Sequence, residues 1–254
     1  MLSKNQIKDL QSLQLKKIRD QKSLFIAEGS KTVLEILEQK PEIIKDLFVT
    51  EDFMTKQGEA LETLGLSTVL VSQEELRKIS LQPSPSGALA ICHFLTHFEK
   101  EPNPTASISF FLDDIRDPGN LGTIMRLLAW FGHSTVYCSP SSCEVYNPKV
   151  IQASMGAFLR VQVVYRELND LITEKKIKNI YGAVLDGRSL YTEKFSHGLI
   201  VIGNEANGIS DINLELLSEK ITIPAAQANS TESLNAAMAT SIIAAEMFRQ
   251  KLGS

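Results

Sequence analysis

The chain has 254 residues, room for one large domain or two modest ones, and 43% hydrophobic with 22% charged residues is the balance of an ordinary globular protein. A net charge of −4 argues mildly against a nucleic-acid partner, and three Cys do not make a disulfide framework. No apolar run reaches the roughly 18 residues of a membrane span, and the N-terminus "MLSKNQIKDLQSLQLKKIRD" resembles neither a signal nor a transit peptide, so the expectation is a cytoplasmic protein without a membrane partner.

Charge is uneven along the chain. The first 22 residues hold six Lys and Arg against two Asp. A helix is expected from about Lys4 to Asp20, and its cations Lys16, Lys17 and Arg19 are either a solvated face or a phosphate-contacting arm. A strand "LFIAE" and a helix "SKTVLEILEQ" carrying Lys31 come next. Then follow a strand "IIKDLFVT", a helix from about Asp52 to Leu64, and a short strand "STVLVS". Ser72, with Glu75 three residues on, should cap the next helix. "GALAICHF" closes this half as a strand.

"FEKEPNPTAS" reads as a linker. It divides the chain into residues 1–98 and 107–254, joined by 99–106. Beyond it, "ISFFLD", "STVYC", "RVQVVY", "NIYGAVLD", "GLIVIG" and "KITIP" are short strands, several continuously apolar as in a parallel sheet covered on both faces. Helices are expected at 120–131, 147–156, 167–177 and 210–218, and from Ser233 to about Lys251. The fold class is α/β with a parallel sheet, preceded by a smaller α/β domain.

Ligands of open α/β sheets bind at the carboxyl ends of strands. Three loops there are unusual. In "DPGNLGTIMR" a Pro-Gly turn places Asn120 where it can cap a helix, and Arg126 follows among apolar residues. In "LIVIGNEANGISD" a carboxylate, Glu205, comes straight off an apolar strand, which is costly unless it is paired. In "ITIPAAQANSTESLNAAMATSIIAAEMF" a polar loop leads into an Ala- and Met-rich helix that should be buried against its own sheet or a second subunit. Cys92, His93 and His97 lie close in sequence but read as strand-end residues, and no metal is expected. No G-x-G-x-x-G follows a first strand, which disfavours a dinucleotide oxidoreductase.

In order and spacing, "DPGNLGTIMR", "IGNEANGIS" and "IP…ESLN" resemble the three motifs of the SpoU/TrmH family of RNA ribose 2′-O-methyltransferases, over essentially all of residues 107–250. "KKIRDQKSLFIAEGSKTVLEIL" looks like the small RNA-binding domain that often precedes them. One departure is the segment Ala225–Ser230, "AAQANS", where the family usually carries Met-x-Gly.

The resemblance implies a deep trefoil knot, a homodimer through the C-terminal domain, and S-adenosylmethionine as cofactor. It implies a cofactor cradle of Leu185, Gly203, Asn204, Glu205, Gly208, Ile223, Pro224 and Leu234. Asn120, Arg126, Glu205, Ser233 and Asn235 match catalytic or RNA-positioning residues, and Lys16, Lys17, Arg19 and Lys31 would contact RNA. An arginine is a poor base at neutral pH, so Arg126 is expected to hold a phosphate and stabilise developing charge. The substrate is expected to be rRNA. A tRNA methyltransferase and a catalytically silent RNA-binding protein on the same fold are the alternatives.

Overall fold

A computed structural model describes residues 2–96, 102–226 and 233–253. Residues 99–101 of the expected linker and 227–230 of the departing third loop lie outside them. The chain forms two compact units, Met1–His97 with Val145–Leu159, and Phe98–Glu144 with Arg160–Ser254. Among the described residues no helix is long and apolar enough to cross a membrane.

The first unit is a mixed four-stranded sheet with helices. Its strands are β1 (Leu24–Glu28), β2 (Ile44–Val49), β3 (Thr68–Leu70) and β4 (Ala88–His93), in the order β1-β4-β2-β3. The central β4 runs antiparallel to both neighbours, and β2 and β3 are parallel. The expected first helix is broken into α1 (Lys4–Ser12) and α2 (Lys16–Lys22). Leu13, at the break, is drawn into the core. The Arg19 guanidinium donates to the Leu13 and Gln14 carbonyls, which the ended helix leaves without intrahelical partners.

Helices α3 (Ser30–Gln39), α4 (Glu51–Thr63) and α5 (Gln73–Ile79) complete this part of the unit. Ser72 and Glu75 form the expected capping box at the start of α5. The Glu75 carboxylate also accepts the Leu2 N–H, tying down the N-terminus.

The segment Val145–Leu159 groups with this unit although a division at the linker assigns it to the other. Aromatic packing accounts for it. Phe25 of β1 meets Phe158 edge-on with centroids 5.6 Å apart, and Phe94 stacks on Tyr146 at 4.0 Å.

The second unit is built on six parallel strands, as expected. These are β5 (Ile108–Leu112), β6 (Thr135–Cys138), β7 (Gln162–Tyr165), β8 (Ile180–Ser189), β9 (Gly198–Ile202) and β10 (Glu219–Thr222), in the order β10-β8-β9-β5-β6-β7. Between them lie α6 (Pro118–Trp130), α7 (Pro148–Ser154, grouped with the first unit), α8 (Leu168–Lys175) and a short α9 (Asp211–Leu214), with α10 (Ala236–Leu252) last. Phe111, Tyr137, Leu199 and Val201 fill one face of the sheet beneath α8. Because β5 and β9 are neighbours, the loops at Asp113 and Gly203 emerge side by side, although they are far apart in sequence.

Candidate active site

Helix α6 starts at Pro118, two residues earlier than expected. Asp117, not Asn120, is its N-cap, and the Asp117 Oδ1 accepts the Asn120 N–H at 2.8 Å. Pro118 occupies the first helical position, where its missing N–H costs nothing. The Asp-Pro pair was the available signal for this cap. Asn120 is thereby released from capping, and its side chain can serve the site.

The Asn120 amide is fixed at both ends. Its Nδ2 donates to Glu205 Oε1, and its Oδ1 accepts Asn235 Nδ2 at 2.9 Å. Asn235 is the true N-cap of α10, where its Oδ1 accepts the Ala237 and Met238 N–H groups at 2.9 and 3.3 Å. Both ends of each amide are therefore engaged. Residues from all three unusual loops meet here. Ser233 is the weakest member, its hydroxyl reaching, among the described residues, the Glu205 carbonyl at 3.5 Å.

The loop carrying Glu205 is closed tightly. Asn204 and Gly208 exchange backbone hydrogen bonds of 2.9 and 2.8 Å. Asn204 Oδ1 accepts the Ala206 N–H, and its Nδ2 reaches back to the Asp114 carbonyl. A Cβ on Gly203 would stand 2.2 Å from the Gly208 carbonyl carbon, so only glycine permits this closure. Gly208 has φ +69, the left-handed region.

The far end of the loop is held by Asp113, a residue that none of the sequence motifs picks out. This carboxylate, only 3% exposed, accepts both the N–H and the hydroxyl of Ser210 at 2.8 Å. No local signal marks it, because its partner lies 97 positions away.

Of the expected cofactor residues, Gly203, Asn204, Glu205 and Gly208 follow β9, Ile223 and Pro224 follow β10, Leu185 lies within β8 and Leu234 just precedes α10; the three strands are adjacent in the sheet. Strand β8 does not end at Asp186, the last residue of "NIYGAVLD", as expected. It continues to Ser189 through a bulge, because Lys220 pairs with Gly182 whereas Ile221 pairs with Arg188. Leu185 rides on the bulge with 76% of its surface exposed, and Leu234 is 44% exposed. Exposed apolar side chains beside the glycine turn that follows β9 suit an adenosine-bearing ligand, so the residues present fit S-adenosylmethionine. Ile223 and Pro224 follow β10 directly.

Arg126 is not brought to the Asn120 cluster. Six residues along α6 is about 120° round the helix, and the side chain is exposed. Gly122 is buried, and the exposed face of α6 is formed by Thr123, Arg126 and Trp130.

In the first unit Lys16, Lys17 and Lys31 are exposed. Arg19 is not, at 2% exposure, so the expectation of a phosphate contact there is corrected. Its guanidinium is spent on backbone carbonyls.

A family model described as the SpoU rRNA Methylase family matches residues 107–245, and one described as an MRM3-like substrate binding domain matches residues 4–90. The Bacillus subtilis 23S rRNA (guanosine(2553)-2′-O)-methyltransferase RlmP is 29% identical over 246 residues, 95% of each chain. The Coxiella burnetii 23S rRNA (guanosine-2′-O-)-methyltransferase RlmB is 27% identical over 241 residues, 88% of this chain and 94% of its own. Among solved structures, a TrmH-family protein from Porphyromonas gingivalis superposes with a TM-score of 0.80 at 35% identity, covering 98% of this chain and 99% of its own. An AdoMet-bound rRNA methyltransferase from Sinorhizobium meliloti gives 0.83 at 25% identity, covering 98% and 96%.

Proposed function

Because this chain belongs to the SpoU rRNA methylase family, we propose that it transfers a methyl group from S-adenosylmethionine to the 2′-hydroxyl of a ribose in rRNA. The observation that carries the reading is the meeting of Asn120, Glu205 and Asn235, contributed by three separate loops at one end of one parallel sheet. Relatives named as 23S rRNA 2′-O-methyltransferases along nearly the whole chain favour rRNA over tRNA.

When bound, the cofactor supplies an already activated methyl group on a sulfonium. Leu185, Gly203, Asn204, Gly208, Ile223, Pro224 and Leu234 would hold it. The chain's own residues must then place a ribose oxygen in line and manage the proton it loses. Glu205 has one oxygen committed to Asn120, and its other oxygen can orient a guanidinium beside the ribose. Arg126 supplies that guanidinium, holding phosphate and countering charge on the attacking oxygen.

Arg126 faces away from the cluster of its own subunit, so we take it to enter the site of a partner subunit. An exposed apolar band supports such a dimer. Trp130 on α6 is 84% exposed, and Met238 and Leu252 on α10 are 61% and 73% exposed. The two helices pack together through Phe131 and Phe248. A homodimer would cover the band. The long return from β10 at one sheet edge to α10 beside α6 supports the knotted arrangement that the family resemblance implies. The unit built on residues 1–97 would bind RNA through exposed cations such as Lys16, Lys17 and Lys31, and the protein would work in the cytoplasm.

Mapping of 2′-O-methyl groups on total RNA from a deletion strain and its parent tests the function. One ribose methylation should disappear from rRNA and return on complementation. Loss of a tRNA methyl group instead would move the substrate, and an unchanged map would refute the activity.

A further inference from the structure

Asp114 has φ 57, a left-handed conformation that a non-glycine residue rarely keeps without support. The support is present on both sides. Its N–H donates to Ser139 Oγ at 2.8 Å, and its carbonyl accepts Asn204 Nδ2 at 2.8 Å. The side chain, 18% exposed, is thereby aimed at Arg116 and accepts its Nε–H at 2.9 Å. That bond uses one of the five guanidinium donors. The Nη1 and Nη2 groups, four N–H in a planar fork, make no bond to a described residue, and the side chain is 71% exposed.

An exposed ion pair two residues apart contributes little to folding. The clamped backbone beneath it is far more than such a pair requires. Its location is informative. Arg116 immediately precedes Asp117, which caps α6 and fixes Asn120, and the Asn204 that holds Asp114 immediately precedes Glu205. Arg116 is thus tethered to both loops that bring Asn120 and Glu205 together. The same loops carry the carboxylates of Asp113, Asp114, Asp117 and Glu205, a setting that repels a polyanion unless a cation is placed within it.

Resting on the reading of this chain as an RNA methyltransferase, we propose that Arg116 is a phosphate-binding arginine of the active site. Its Nη1–Nη2 fork takes a backbone phosphodiester of the RNA within the same subunit as Asn120 and Glu205. Asp114 acts as a positioning residue that fixes the fork through Nε. Bidentate recognition of a phosphate by a preoriented guanidinium fixes the register of the strand rather than its sequence.

The test uses the full-length protein and an unmodified 23S rRNA transcript. Arg116→Gln should raise Kd and KM for the transcript about tenfold, the scale of one charge-assisted hydrogen bond removed. The log–log salt slope of binding should fall by roughly 0.7 to 0.9, and S-adenosylhomocysteine affinity should stay unchanged. Arg116→Lys should restore the slope but only part of the affinity, because the fork is lost. Asp114→Asn should weaken binding while leaving the slope intact. An unchanged slope and KM in Arg116→Gln would overturn the proposal. So would an equal loss of S-adenosylhomocysteine affinity, or a slope that falls as far in Asp114→Asn, since both indicate loop collapse. If the wild type transferred no methyl group to the transcript, the function would fall, while the binding slope would still decide the role of Arg116.

Discussion

Asn235 donates its side-chain amide to Asn120 Oδ1 at 2.9 Å while its own Oδ1 caps α10. One side chain therefore starts a helix and locks an active-site amide. The two roles can be separated. Asn235→Ala should cost about 1 kcal/mol of stability through the lost cap, together with most of the activity. Asn235→Asp should keep the cap, since Asp is equally good there. It cannot donate to Asn120, so activity should still fall on the order of 10-fold to 100-fold. Thermal unfolding alongside methyl-transfer rates checks the split, and full activity in Asn235→Asp would show that the amide link is incidental.

Gly203→Ala should weaken cofactor binding without unfolding the protein. The added Cβ meets backbone at 2.2 Å, so the Asn204–Gly208 turn must open. The backbone edge that follows β9 then moves away from the neighbouring ends of β8 and β10. Calorimetry with S-adenosylhomocysteine should show affinity lowered by roughly tenfold or more. Unchanged affinity would mean that the turn does not form the cofactor cradle.

The N-terminal cations divide by burial. Lys16→Glu with Lys17→Glu should weaken rRNA binding and lower its salt slope by roughly 0.7 to 0.9 for each phosphate no longer neutralised. Arg19→Ala should leave that slope unchanged but destabilise the fold by about 2 kcal/mol, because buried carbonyls lose a donor. A slope that responded to Arg19 and not to the two lysines would reverse the assignment.

What could be read from the sequence follows from how local each cause is. Strand β1 and the Ser72–Glu75 capping box depend on residues within a few positions of one another, and both form as expected. The break at Leu13 does not follow from periodicity, because the tertiary core claims Leu13 and a side chain six positions away satisfies the loose carbonyl. The bulge at Leu185 depends on the register of β8 against β10, a pairing of residues more than thirty apart. The motifs named Asn120, Glu205 and Asn235; the adjacency of β5 and β9 explains why the first two meet, and the packing of α10 on α6 brings in the third. The same adjacency makes Asp113 and Ser210 a pair, yet neither residue belongs to a pattern that would mark it.

His133 should give the protein an acid-sensitive limb. Its ring packs edge-on to Phe110 with centroids 5.2 Å apart. Burial, and then the charge of Lys251, push its pKa from 6.5 down to about 4. The unfolded chain binds a proton as pH falls below 6.5, and the folded chain resists until about 4. The contribution is therefore complete above 6.5 and lost progressively as pH drops to 4. Denaturation midpoints across that window should fall more steeply in the wild type than in His133→Gln. Parallel curves would show that the ring titrates normally.

Arg126→Ala should lower methyl transfer by on the order of 100-fold or more, with fold and cofactor binding intact. Arg126→Lys should rescue little, because an ammonium lacks the planar fork. The exposed side chain sits about 120° round α6 from Asn120, so its own cluster is the wrong target. Mixing Arg126→Ala subunits with Gly203→Trp subunits tests where it acts. If Arg126 crosses the dimer, a heterodimer contains one site with an intact cofactor cradle and an intact arginine, supplied by different chains. Activity should then recover partly above that of either parent. Verified heterodimers that stay inactive would place Arg126 in its own subunit's site, and full activity in Arg126→Ala alone would reduce the residue to a surface charge.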